Sequence, residues 1–88
     1  MKILRKYNKT LTVDLHGIRA NELKSRLETM IESNRIGECE KLILIHGFNN
    51  GTALSDIIRN DLSSKRIKSI QNGSNSGETV IILKQKNK

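Results

Sequence analysis

The chain has 88 residues, a single cysteine, and sixteen Lys and Arg against nine Asp and Glu, for a net charge of +7. That length predicts one domain, burying roughly 60–65% of its unfolded surface. The lone Cys39 excludes an internal disulfide or a multi-cysteine zinc site, and no stretch approaches the ~20 apolar residues of a membrane span. The charge favours a polyanionic partner. With one Phe, one Tyr and no Trp, the core must come from Leu, Ile and Val. So few aromatics argue against base stacking as the main binding mode and for contact with a phosphate backbone.

Residues 1–10 read as a basic polar lead-in carrying Lys2, Arg5, Lys6 and Lys9. It lacks the apolar h-region of a signal peptide, which with the cysteine usage predicts a reducing, cytoplasmic location. Leu11–His16 alternates with period two: Leu11, Val13 and Leu15 form one face, and Thr12, Asp14 and His16 the other. Residues 21–34 switch to a helical period, with Leu23, Leu27, Met30 and Ile31 as the apolar stripe, Asn21 as the best N-cap candidate, or the loop supplying the cap one or two residues earlier, and Gly37 closing the region. Lys41–Ile45 is apolar on both faces, the pattern of a central strand. Strand, helix and parallel strand form a right-handed βαβ unit in nearly all cases.

Phe48–Gly51 is a turn cluster, and Thr52 is the N-cap candidate of a second helix bearing Leu54, Ile57, Ile58 and Leu62. Ile67–Ile70 is a short strand, Gln71–Gly77 a loop of turn formers, and Thr79–Leu83 a final strand antiparallel to its predecessor. The domain is therefore placed at 11–84, with 85–88 as a basic tail.

Two matching breaks stand out. Val13–Gly17 and Leu44–Gly47 each run an apolar strand into a His-Gly turn, and His16 and His46, thirty residues apart, are the two histidines of the chain. Parallel pairing would put both at one sheet edge, where open α/β sheets bind ligands. Asp14 and His16, two residues apart on one strand, would leave the same face about 7 Å apart, with His46 on a neighbour ~5 Å away. One imidazole could take a proton from an attacking water or 2′-hydroxyl and the other protonate the leaving oxygen, with Asp14 orienting a ring. Gly17 and Gly47 permit tight turns or close ligand approach. Gly51 precedes the second helix, whose N-terminal N–H groups would cradle a phosphate, with Asn49, Asn50 and Thr52 as further donors. Simpler roles fit the same residues. Asp14 suits a turn-fixing carboxylate, both histidines suit hydrogen bonding to the crossover turns, and Phe48 suits a loop anchor. A metal site is disfavoured, because three candidate ligands at most converge. Arg59, Lys65, Arg66 and Lys68 cluster near the end of the second helix, as a phosphate-binding patch or a solvated helix end.

These boxes resemble a known family. Val13–Gly17, followed by a helix beginning near Glu22, resembles the Leu-Asp-Leu-His-Gly box of Smr (small MutS-related) domains. Ile45-His46-Gly47 with Gly51-Thr52-Ala53-Leu54 resembles their His-Gly-x-Gly-x-Gly box, and Ser76–Leu83 resembles the closing Gly-x-Gly-x-Thr-x-Val segment. The similarity spans about 11–84, as for a stand-alone Smr protein. It implies an α/β two-layer sandwich of βαβαββ order, a mixed four-stranded sheet with two helices on one face, similar to the C-terminal domain of the bacterial third translation initiation factor. It also implies a DNA or RNA partner, free or ribosome-associated, with no membrane and no small-molecule cofactor. Two activities follow: a nicking endonuclease, or a non-catalytic nucleic-acid- or ribosome-binding module. Catalysis would fall on Asp14, His16 and His46. Nucleic-acid contact would fall on Gly17, Arg19, Gly47, the Phe48–Thr52 loop and the Arg59–Lys68 cluster. No metal ligand is assigned, and a divalent cation such as Mg²⁺ stays open as a helper. Phe48 and Asn49 replace a small or basic residue and a glycine of the second box, and Ser55 stands where a basic residue often follows. These departures favour binding over cleavage.

Overall fold

A computed structural model describes residues 1–33, 39–47, 53–75 and 77–84. The period-two segment forms strand β2 (Thr10–Asp14), with Leu11 and Val13 buried between half-exposed neighbours. Helix α1 (Ala20–Glu32) buries Leu23, Leu27 and Ile31, spaced four apart and therefore stacked on one face. Met30 lies half-buried beside them. The cap falls two residues before Asn21, in the loop, as the second of the two expected placements has it. Arg19, extended at φ −83° and ψ 145°, is the N-cap and makes no side-chain cap hydrogen bond, while Asn21 lies within the first turn. Glu22 there complements the positive end of the helix dipole. The helix stops where the Ser33 N–H and hydroxyl both donate to the Met30 carbonyl, at 3.1 and 2.8 Å. Gly37, assigned to close the region, lies outside the described residues.

Strand β3 (Lys41–Ile45) pairs parallel with β2 from Thr10–Lys41 to Asp14–Ile45. Helix α2 (Ala53–Asn60) buries Leu54 and Ile58 and half-buries Ile57; its proposed cap, Thr52, lies outside the described residues. Strands β4 (Ile67–Asn72) and β5 (Glu78–Leu83) form an antiparallel hairpin, and β5 inserts between β3 and β4. By register, Leu11, Leu42 and Ile81 share one face of the sheet, as do Val13, Leu44 and Thr79. The leucines and isoleucines of that face join those of both helices in one core. Cys39 is a free, buried cysteine just before β3.

The predicted four strands become five. Lys2–Tyr7, read as lead-in, is strand β1, antiparallel to β2 at the sheet edge, giving the order β1-β2-β3-β5-β4. All six of its residues are exposed, so no apolar alternation marked it. The hairpin turns through Asn8 and Lys9, at φ 50° and 68°. Consecutive positive φ values are those of a two-residue type I′ turn, whose twist matches that of the strands. The Lys9 carbonyl accepts N–H bonds from Glu40 at 2.8 Å and Lys41 at 3.3 Å, tying the turn to the start of β3.

Candidate functional site

The β2–β3 ladder runs one step past the end of β2, with the Leu15 N–H donating to the carbonyl of Ile45, the last residue of β3, at 2.9 Å. Both His-Gly turns therefore leave the same edge of the sheet from adjacent strands.

The first turn is built locally. The Ile18 N–H donates to the Leu15 carbonyl at 3.1 Å, and Gly17 has φ +83°. That positive φ, at the third residue of the turn, favours glycine. A Cβ built there meets nothing within 4 Å, nor does one at Gly47, φ +76°. Backbone conformation rather than close packing therefore calls for these glycines. Asp14 does not hold an imidazole: its carboxylate accepts the backbone N–H of His16 at 2.8 Å. β2 ends at Asp14, so His16 stands in the turn rather than on the strand, and it is exposed. The turn-fixing role is the one the geometry gives to Asp14.

The second histidine is held toward β5. The N–H groups of His46 and Gly47 both donate to the Gly77 carbonyl at 3.0 Å. The His46 Nδ1 lies 3.1 Å from the Gly47 carbonyl, which can only accept, so Nδ1 carries a proton. Nε2 lies 2.9 Å from the Thr79 hydroxyl, and Thr79 is fully buried. A hydroxyl rotates between donor and acceptor, so this bond serves both the neutral and the protonated ring. Gly77 and Thr79 thus position His46, a role the sequence reading did not assign. The available signal was Thr79 itself, a polar residue at a core position of an apolar strand, which requires a buried partner.

The basic cluster splits. Lys65 and Lys68 are exposed, and the Arg59 guanidinium donates to the Asn72 side-chain oxygen. Arg66 turns inward: its guanidinium donates to the carbonyls of Ile31 (2.9 Å), Lys84 (3.2 Å) and Cys39 (3.4 Å). It thereby ties the end of α1 to the approach to β3 and the exit of β5. This removes Arg66 from the exposed phosphate-binding patch expected of it. Arg19 is exposed just past the first His-Gly turn. Phe48, Asn49, Asn50, Gly51 and Thr52 lie outside the described residues. Among the described residues, no three His, Cys, Asp or Glu side chains converge as a metal site.

The architecture and the order of the boxes agree with known proteins. The chain is similar to the Smr domain of Thermus thermophilus MutS2, a solved crystal structure, with 29% identity and a TM-score of 0.71 over 83% of this chain and 96% of that one. No curated protein gives a significant match. The family model of the Smr domain matches residues 13–84, which include both His-Gly turns and the Gly77–Thr79 segment that holds His46. This chain therefore belongs to the Smr domain family.

Proposed function

We propose that the chain binds DNA or RNA, ribosomal RNA included, at the sheet edge formed by the two His-Gly turns, and does so in the cytoplasm. The observation that carries this reading is the parallel pairing of β2 and β3, which brings the two His-Gly turns, one with an exposed His16 and one with a half-buried His46, to the same end of adjacent strands. Arg19 on one flank and Arg59, which in the last turn of α2 reaches Asn72 at the near end of β4, supply charge for a phosphate backbone, whereas Lys65 and Lys68 lie toward the opposite end of the sheet. His46 would meet a phosphate through a ring that keeps its Thr79 bond when protonated.

Cleavage is the second reading, and the exposed imidazole of His16, in a turn fixed by Asp14, is what favours it. His16 would take the proton from an attacking water or 2′-hydroxyl as its oxygen bonds to phosphorus, the opposite P–O bond would break with the leaving oxygen protonated by solvent, and Asp14 would act by holding the turn. Positioned acid–base groups of this kind contribute roughly 10²- to 10⁴-fold in rate.

The test incubates pure protein with supercoiled plasmid and with structured RNA, with and without Mg²⁺, alongside Asp14→Ala and His16→Ala. Binding that weakens in both variants, with a steep salt dependence, supports the site. Nicking that disappears in both adds the cleavage reading. Binding and nicking unchanged in both would remove the function from this edge.

A further inference from the structure

β1 lies outside residues 13–84, the segment shared with the family, and it is the element the sequence concealed. Its register places Arg5 opposite Thr12 and Tyr7 opposite Thr10, while Thr10 lies opposite Lys41 on β3. Thr10 and Thr12 alternate with the buried Leu11 and Val13, so these residues share the sheet face turned away from the helices. Arg5 and Tyr7 stand about 7 Å apart along β1, and Lys41 lies two strands, about 10 Å, from Tyr7. Tyr7 is 73% exposed, the most exposed of the large hydrophobic side chains described. Lys9 lies at the same end and pairs with Glu40 at 3.6 Å. The acids of this face, Asp14 and Glu78, fall together in the row at the opposite end, with Lys2 and Ile45.

From this we infer a second nucleic-acid surface, in which the Arg5–Tyr7–Lys41 face of the sheet binds single-stranded nucleic acid, Tyr7 stacking on an unpaired base while Arg5 and Lys41 contact phosphates. The inference deepens the reading of a nucleic-acid partner and rests on it, but it uses a different face. An exposed ring between cations on an open sheet suits a single strand, because a duplex keeps its base faces covered. A partner strand added to the β1 edge is the competing occupant. The register shift between Ile3 and Arg5, together with Lys2, Arg5 and Lys6, blunts that edge against pairing. The Thr10 and Thr12 hydroxyls add donors and acceptors between the cations.

Tyr7 is the one tyrosine of a chain without tryptophan, so its fluorescence reports this face directly. The full chain is titrated with a fluorescein-labelled 12-nucleotide single strand, as RNA and as DNA, and with the matching duplex. Anisotropy is read over a salt series; tyrosine emission is read with unlabelled strands. Single strands are expected to quench the tyrosine and to bind more tightly than the duplex. Tyr7→Leu is expected to weaken single-strand binding about tenfold, within the range of one base–aromatic stack, and Tyr7→Phe to retain it. Arg5→Ala with Lys41→Ala should flatten the log–log salt slope by about 1.4. Asp14→Ala with His16→Ala should leave the quenching intact. Binding without quenching, unchanged in Tyr7→Leu, would discard this face and leave the His-Gly edge standing. Self-association that itself quenches Tyr7 would assign the face to a second copy. No binding to any of the strands would overturn both readings.

Discussion

Single side chains at the sheet edge do work that their types alone left open. Asp14 was eligible to orient an imidazole, and it instead accepts the His16 backbone N–H. His46 was eligible as an exposed acid or base, and its ring is held between the Gly47 carbonyl and the Thr79 hydroxyl. Thr79 is the sole buried polar residue among those described, and it is exposed to no solvent that could replace His46. Thr79→Val keeps the shape and removes the hydroxyl. It is expected to destabilise the fold by about 1–2 kcal/mol, the cost of a ring nitrogen losing its buried partner. Chemical denaturation measures this, and a change within error would show the bond to be dispensable. The inward turn of Arg66 belongs to the same scale. Its charge was legible, but which carbonyls would surround it depended on three segments meeting.

Among the elements, helices α1 and α2 and strands β2, β3 and β5 were legible because each buries apolar residues, and burial writes a period or an apolar run into the sequence. β1 was not, because all of its residues are exposed and its order comes from pairing with β2 through the Asn8–Lys9 turn. The β4–β5 hairpin shows a sharper constraint. A Cβ placed on Gly73 would collide with the Glu78 Cβ, where Gly73 and Glu78 meet through a 3.3 Å backbone bond. Glu78 also accepts from the Ser74 N–H and hydroxyl, closing the turn. Gly73→Ala must therefore push the two strands apart, and a loss of about 1–3 kcal/mol is expected, the range for overpacking. Thermal melting reads it. An unchanged Tm would mean the loop relaxes at no cost. Because Gly77 leads into β5 and holds His46 and Gly47, the variant should also disturb the His46 ring resonances.

At the scale of the whole molecule, Glu28 is a polar link between parts of the helical layer. It accepts from Lys24 at 2.7 Å and from the Ser63 N–H at 2.6 Å, joining α1 to the segment after α2. The Lys24 ammonium first, and then the Ser63 N–H, hold its carboxyl below the usual value near 4.5. A carboxyl lowered in the folded state stabilises the fold above its unfolded value and loses that contribution as pH falls through its folded value. Glu28→Gln lacks the charge at every pH. Its Tm should fall below that of the unmodified chain at neutral pH, and the gap should narrow as pH falls from the usual carboxyl value near 4.5 through the lowered one. A gap constant down to pH 2 would show that Glu28 acts through packing alone.

By itself the sequence determined the order of the buried elements, the family, and the placing of two His-Gly turns at one edge, since apolar periodicity and ordered boxes are local properties of the chain. Tertiary structure alone decided where the polar groups point. It turned Asp14 onto a backbone N–H, set His46 against Thr79, tied a half-buried Arg66 to three backbone carbonyls and raised a basic lead-in into an edge strand. A hydrogen-bonding group takes whatever partner the assembled fold brings within 3 Å or so, and those partners lie up to 35 residues away in the chain.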